Sequence, residues 1–137
     1  KRVAVIGGTI HGCELAEFLI KRGRKVTIIA TGAEIGEGMT GDDKFQFMRW
    51  ITEKPATIIT GATVDRITQK GPVIKVEGKQ QTINADTIAF AVPLQSNTAL
   101  MKNLEGKLRE LYAIGDCNEP HLIADAIAGG SLIGHSI

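Results

Sequence analysis

The sequence predicts an α/β domain, a parallel sheet flanked by helices with a three-stranded antiparallel layer added to it. Three observations carry that prediction. A continuous apolar run, VAVI at 3–6, and a second buried strand, KVTIIA at 25–30, bracket a helical stretch and make a strand–helix–strand unit. Glycines stand at 7, 8 and 12, between the first run and that helix. From 63 to 84 the pattern changes from solid runs to alternation, the mark of strands with one face in water.

Each element follows from its residues. Val3–Ile6 is short, branched and uncharged, as a parallel strand covered on both faces must be. A helix is expected over 10–22, ended by Gly23 in a left-handed conformation, and Lys25–Ala30 returns as the second strand. Residues 31–41 hold four glycines and read as a loop. Asp42 or Asp43 is expected to cap a second helix that runs through KFQFMRWITEK to a boundary at Pro55. ATIIT at 56–60 is a third strand. TVDRIT (63–68), VIKVE (73–77) and QTIN (81–84), parted by Lys70-Gly71-Pro72 and Gly78-Lys79, form the antiparallel meander. TIAFAV (87–92) is again a buried strand, and a short helix is expected near 96–104. LYAI (111–114) reads as a last buried strand leading into Gly115-Asp116. Pro120 is expected to start a final helix of about sixteen residues, interrupted at Gly129-Gly130.

At 137 residues the chain is most simply one domain, long enough to bury a core. Sixteen lysines and arginines against fifteen acids give no field for wrapping a nucleic acid or lying on an anionic membrane. The densest basic run, Lys21 to Lys25, falls at the end of the first helix, where cations complement the helix dipole. No apolar run approaches the ~20 residues that span a bilayer. Cys13 and Cys117 match no metal-ligand spacing, so a reducing, cytoplasmic setting is expected. The chain begins with Lys, not Met, and is expected to be a processed product or a piece of something longer.

Parallel strand–helix–strand units with an inserted meander point to a Rossmann-like three-layer nucleotide-binding architecture. From Arg2 to Ile29 the chain resembles the pyridine-nucleotide domain of two-domain flavoprotein reductases, on Gly7, Gly12, Glu14, Ala16, Gly23 and VTII at 26–29. The segments EIGEGM (34–39), TGATVDRIT (60–68), NADTIAFAV (84–92), LYAIGDC (111–117) and DAIAGGSLIGHSI (125–137) narrow the resemblance. Together they are similar to the C-terminal part of NADH:flavin oxidoreductases of the 2,4-dienoyl-CoA reductase and 2-enoate reductase type. The resemblance implies a parent enzyme with a barrel carrying FMN and usually an iron–sulfur cluster, then FAD-binding and pyridine-nucleotide regions. It implies that this chain is a single FAD/NAD(P)-binding-like domain over 1–137, binding NAD(H) and partnering the flavin-binding regions of the parent chain. Neither FMN nor FAD is expected in this part alone, and turnover by it alone is not expected.

The expected site residues follow from the glycine fingerprint and its departures. Gly7 makes the tight turn, Gly8 continues it, and Gly12 lets the helix pack on the sheet, so that the helix N-terminus offers amides to a pyrophosphate. Thr9 stands where a third glycine belongs. Its β-carbon crowds the phosphate, although its hydroxyl can donate a hydrogen bond worth about 1.5–3 kcal/mol. Ala30 stands where an Asp or Glu would hold the adenosine ribose, with Thr31 a weak substitute. By resemblance, Glu14 approaches the nicotinamide carboxamide and Ile10 lines the entrance to its pocket. Both are equally read as helix surface and packing. Val92-Pro93 stands where the family tends to have a small residue followed by glycine, and Pro93 removes a donor. Gly115-Asp116 resembles the family's Gly-Asp motif at the FAD ribityl or pyrophosphate, or else Asp116 simply caps a turn.

Two readings stand beside each other. One is an NAD(H)-binding module that positions the nicotinamide for hydride transfer to a flavin bound elsewhere. The other, favoured by Thr9, Ala30 and Pro93, is a degenerate, mainly structural domain with weak or no dinucleotide affinity. A redox pair of Cys13 and Cys117 is a further alternative. His11, His121 and His135 have no nucleophile context and are assigned no catalysis.

Overall fold

In the computed structural model, which describes residues 1–137, the first apolar run is β1 (Arg2–Ile6) and the second β2 (Lys25–Ile29), joined by α1 (Ile10–Lys21). Gly23 ends that turn of the chain with φ +70°. Next come α2 (Gly41–Thr52), β3 (Ala56–Ile59), the meander β4 (Ala62–Thr68), β5 (Gly71–Val76) and β6 (Lys79–Thr82), and then β7 (Thr87–Phe90). The four long-range strands form one parallel sheet in the order β3-β2-β1-β7, while β4-β5-β6 form a separate antiparallel sheet. The α/β class and the three-stranded addition are therefore as the sequence predicts.

Strand alternation divides the core in two. Val3 and Val5 of β1, with Val26 and Ile28 of β2, point to the layer of α1 and α2, where Cys13, Ala16, Ile20, Phe47 and Ile51 meet them. Ala4, Ile6 and Ile29 point to the other face and pack against Ala62 and Ile74 of the meander. Because both faces are covered, the runs are dominated by apolar residues, with only the partly exposed Thr27 inside β2 polar. Burying a side chain such as Ile28 stabilises the fold by roughly 1.5–3 kcal/mol.

The structure corrects several boundaries. Thr40, not Asp42 or Asp43, caps α2. Its extended backbone lets Oγ1 accept from the Asp43 amide at 3.3 Å, while its hydroxyl donates to the Asp43 carboxylate at 2.7 Å. Asp42 and Asp43 lie inside the first turn, where they still complement the helix dipole. The helix stops at Thr52, ahead of Pro55, because the residue before a proline avoids helical backbone.

Residues Lys1–Val92 and Pro93–Ile137 form two compact units. The second holds α3 (Ala99–Leu104), a 3-10 turn over Gly115–Cys117 and α4 (Ile123–Ser136), with Ser96 donating to the Asn118 carbonyl at 2.8 Å. The expected strand at 111–114 is absent: the segment enters no ladder, and Tyr112 and Ile114 are exposed. A four-residue strand is stabilised only by its ladder partner, so the apolar run alone does not create one. Pro120 precedes α4 without starting it. The Asp125 carboxylate accepts from the Leu122 amide at 3.0 Å and sets the helix entry. Nor do Gly129 and Gly130 interrupt α4, because glycine weakens a helix by about 1 kcal/mol each yet keeps its amide donor. No helix is long and apolar enough to cross a membrane.

Candidate functional site

The carboxyl ends of β1, β2 and β7 meet at the glycine turn. Gly7 adopts φ +123°, a conformation for glycine, and a β-carbon there would sit 2.1 Å from the Ala91 carbonyl oxygen. A β-carbon on Gly12 would sit 2.1 Å from the Gly7 carbonyl oxygen, so α1 packs directly on the turn. Ladder-like bonds fix the cluster: Gly7 donates to the Ile29 carbonyl at 2.9 Å and Ala91 to the Ile6 carbonyl at 2.7 Å. These two glycines are required by the packing itself.

Thr9 is the N-cap of α1 with φ −71° and ψ 178°, and its side chain makes no cap hydrogen bond. Of the first-turn amides, Ile10 donates to the Glu37 carbonyl at 2.7 Å. The His11 and Gly12 amides make no hydrogen bond to the protein. They sit at the positive end of a twelve-residue helix, where spare backbone donors are aligned on the helix dipole.

The loop after β2 folds over the turn. Gly36 donates to the Gly8 carbonyl at 2.7 Å, Thr9 and Glu37 form a parallel bridge, and the Ile10 side chain lies against Gly38. Glu34 is tied to Lys44 at 3.0 Å in the same loop and helix start. Sequence reasoning did not find Glu37. Its contribution is a backbone carbonyl, which any residue supplies, and its segment EIGEGM drew notice only for its resemblance.

Ala30 is buried, 3% exposed, and its β-carbon lies so near Gly8 that a β-carbon on Gly8 would approach it to 2.6 Å. Its backbone continues the sheet through the Ile59 carbonyl and the Ala62 amide. The strand end that would present a carboxylate to a ribose is thus closed over by apolar packing. Thr31 next to it is exposed, as is Glu14 on α1. Cys13 lies wholly buried under the turn with Sγ 3.7 Å from the Gly8 carbonyl oxygen, and burial pushes its thiol up to about 11.

The first unit therefore gathers Gly7, Gly8, Thr9, Ile10, Gly12 and Ala30 at one sheet edge, with Val92 just beyond Ala91 and half exposed. Pro93 is exposed and opens the second unit. Gly115, at φ +64°, and Asp116 lie in the second unit, on the 3-10 turn. With Asn118, His121, Asp125 and Ala126 they line a half-open cavity of about 480 Å³. Both cysteines are free thiols, Cys117 being exposed with its thiol on the Ile114 carbonyl at 3.1 Å. No group of three or more His, Cys, Asp or Glu side chains is disposed to hold a metal ion.

Comparison with known proteins agrees with this geometry. The family model described as pyridine nucleotide-disulphide oxidoreductase matches residues 1–130. Over 132 residues, 95% of the chain, the sequence is 33% identical to an NADH oxidase of Thermoanaerobacter brockii, and over 83% of the chain it is 29% identical to a metal reductase of Desulforamulus reducens. The solved structure of a 2-naphthoyl-CoA reductase superposes on 99% of the chain with a TM-score of 0.85 and 29% identity. The chain spans about a fifth of the length of each of these proteins, 20%, 17% and 21% respectively. With a glycine turn, a helix-end amide pair, a three-layer fold and a family match over nearly all its length, the chain belongs to the pyridine nucleotide-disulphide oxidoreductase family.

Proposed function

We propose that this chain is the NAD(H)-binding module of a multidomain flavin-dependent oxidoreductase, of the 2,4-dienoyl-CoA reductase and 2-enoate reductase type. The observation that carries the reading is the pair of unpartnered His11 and Gly12 amides at the start of α1, set on a turn that only glycine at 7 and 12 permits. These groups fit a pyrophosphate. The Thr9 hydroxyl, free of any cap bond, is a third donor at the same helix end. When bound, the dinucleotide supplies a hydride, and a flavin held by the rest of the parent enzyme accepts it with its two electrons.

On this reading Gly7, Gly8, Thr9 and Gly12 seat the phosphates, while Ile10, Glu14, Val92 and Pro93 face the nicotinamide half. Ala30 and Thr31 neighbour the adenosine ribose without a carboxylate to hold it, so affinity comes from the phosphate end. Gly115 and Asp116 are assigned to the FAD side of the parent enzyme, which also carries FMN and an iron–sulfur cluster and works in the cytoplasm. The chain acts as one FAD/NAD(P)-binding-like domain and does not turn over alone.

A second reading has its own observation. The Glu37 carbonyl already occupies the Ile10 amide, and Ala30 is sealed by packing, as in a domain that keeps the shape and has lost the ligand. Calorimetric titration of the chain with NADH, NADPH and ADP, repeated on Thr9→Gly, separates the two. Micromolar NADH binding, with NADPH weaker and Thr9→Gly tighter, is the expected result. Absence of binding by both proteins overturns the module reading and leaves the structural one.

A further inference from the structure

The parallel sheet has two ends, and the one opposite the glycine turn is basic. All four strands run the same way, so their first residues share that end with the C-termini of α1 and α2. Seven cations, Lys1, Arg2, Lys21, Arg22, Arg24, Lys25 and Lys54, stand there with the three acids Glu17, Glu53 and Asp86, and Arg49 and Lys70 lie at the same end. A near-neutral total conceals a separated charge. Two of the seven are internally paired, Arg2 with Asp86 at 2.7 Å and Lys21 with Glu17 at 2.5 Å. Lys1, Arg22, Arg24, Lys25 and Lys54 have no acidic partner.

Aromatic rings are set among these cations. The Lys54 and Lys21 ammonium groups lie 5.6 and 5.9 Å from the centre of the Trp50 ring. One turn before Lys21, Phe18 is half exposed and carries the Arg22 guanidinium 3.5 Å from its ring centre. Stacking holds the Arg22 fork in place, so little freedom is lost when a carboxylate takes it. Exposed arginine and phenylalanine beside a partly buried tryptophan are the residue types that carry binding energy in protein interfaces.

We propose that this amino-terminal end of the sheet is a docking surface for a partner protein with an acidic patch. The inference is independent of the dinucleotide reading, because none of its residues belongs to the glycine turn. A protein is favoured over a nucleic acid by the acids at 17, 53 and 86. The unpaired cations form a short site set about two rings and interrupted by those acids, so a compact acidic patch fits it better than the long, evenly spaced charge of a phosphate chain.

Trp50 is the only tryptophan and therefore reports on the patch itself. The test is a titration of the 137-residue chain with an octaglutamate peptide at low salt, following Trp50 emission. Oligothymidylate of equal charge and phosphatidylglycerol vesicles are run in parallel. Saturable binding of octaglutamate is expected, about tenfold weaker in Arg24→Glu/Lys25→Glu and unchanged in Lys75→Glu/Lys79→Glu on the meander. If the first double variant fails to fold by circular dichroism, Arg24→Glu alone is expected to weaken binding severalfold. No saturable change with octaglutamate, equal loss in both double variants, no loss in either, or tighter binding of oligothymidylate or vesicles overturns the proposal.

Discussion

Lys1–Val92 and Pro93–Ile137 are about equally apolar in sequence, but they use their apolar residues in opposite ways. In the first, strand alternation sends side chains to two covered faces, and all eighteen buried hydrophobic residues lie there. In the second no residue is buried. Ile123 is 82% exposed and Ile137 81%, and Ile127 and Leu132 on the same helix are exposed as well. A helix apolar nearly all round, as α4 is, belongs in an interior. The difference teaches that apolar content is not a core. A core needs opposed layers, and only the first unit contains a sheet to supply them.

The comparison breaks first at Ile28. Ile28→Ala should destabilise the chain by about 2–5 kcal/mol in urea denaturation, whereas Ile123→Ala should change it by less than about 0.5 kcal/mol. Equal effects would mean that the second unit has a core after all. Next comes Gly12→Ala, with a β-carbon aimed at a backbone oxygen 2.1 Å away. It should lose about 1–3 kcal/mol and weaken any NADH binding with it, read by the same melts and by calorimetry.

Helix caps sharpen the contrast at a smaller scale. Thr40→Ala should cost about 1 kcal/mol, because α2 is fastened to the core by Phe47 and Ile51. Asp125→Ala, which removes the bond to the Leu122 amide, should leave the main unfolding transition where it is and lower only the helical circular dichroism.

The smallest expected effect is a pH dependence. Hydrogen bonds from the Arg2 side chain and backbone amide hold the Asp86 carboxyl down to about 2. A depressed carboxyl favours the folded state when ionised. Its contribution is therefore complete above about pH 4, where the unfolded group is ionised too, and is lost as the pH falls through 2. The advantage of the wild type over Asp86→Asn in denaturation midpoint should be constant above pH 4 and shrink below it. An advantage that persists unchanged at pH 2 would show that the Arg2 bonds act without the charge.

Much of the first unit was legible in sequence because burial on two faces leaves a direct trace. Val3–Ile6 is solid apolar and Val26–Ile29 nearly so, the meander alternates, and Gly7 and Gly12 are demanded by contacts that exclude a β-carbon. Leu111–Ile114 misled because an apolar run states an affinity for an interior and says nothing about which ladder receives it. Gly129-Gly130 misled because a weak helix former is not a breaker. The Glu37 carbonyl on the Ile10 amide had no signature at all, since backbone atoms are common to every residue. Nor did the Arg2–Asp86 pair, separated by 84 positions, announce itself.

The chain's two thiols fall one to each unit, and the core treats them differently. Cys117 is open to solvent, while Cys13 is sealed beneath the glycine turn with its thiolate disfavoured. Alkylation of Cys13 must therefore wait for the first unit to open. Its labelling rate is a clock for that opening under native conditions, running in the same molecule as a Cys117 reference that needs no opening. A ligand seated at the α1 end, bridging the His11 and Gly12 amides, should slow that clock and leave the reference untouched.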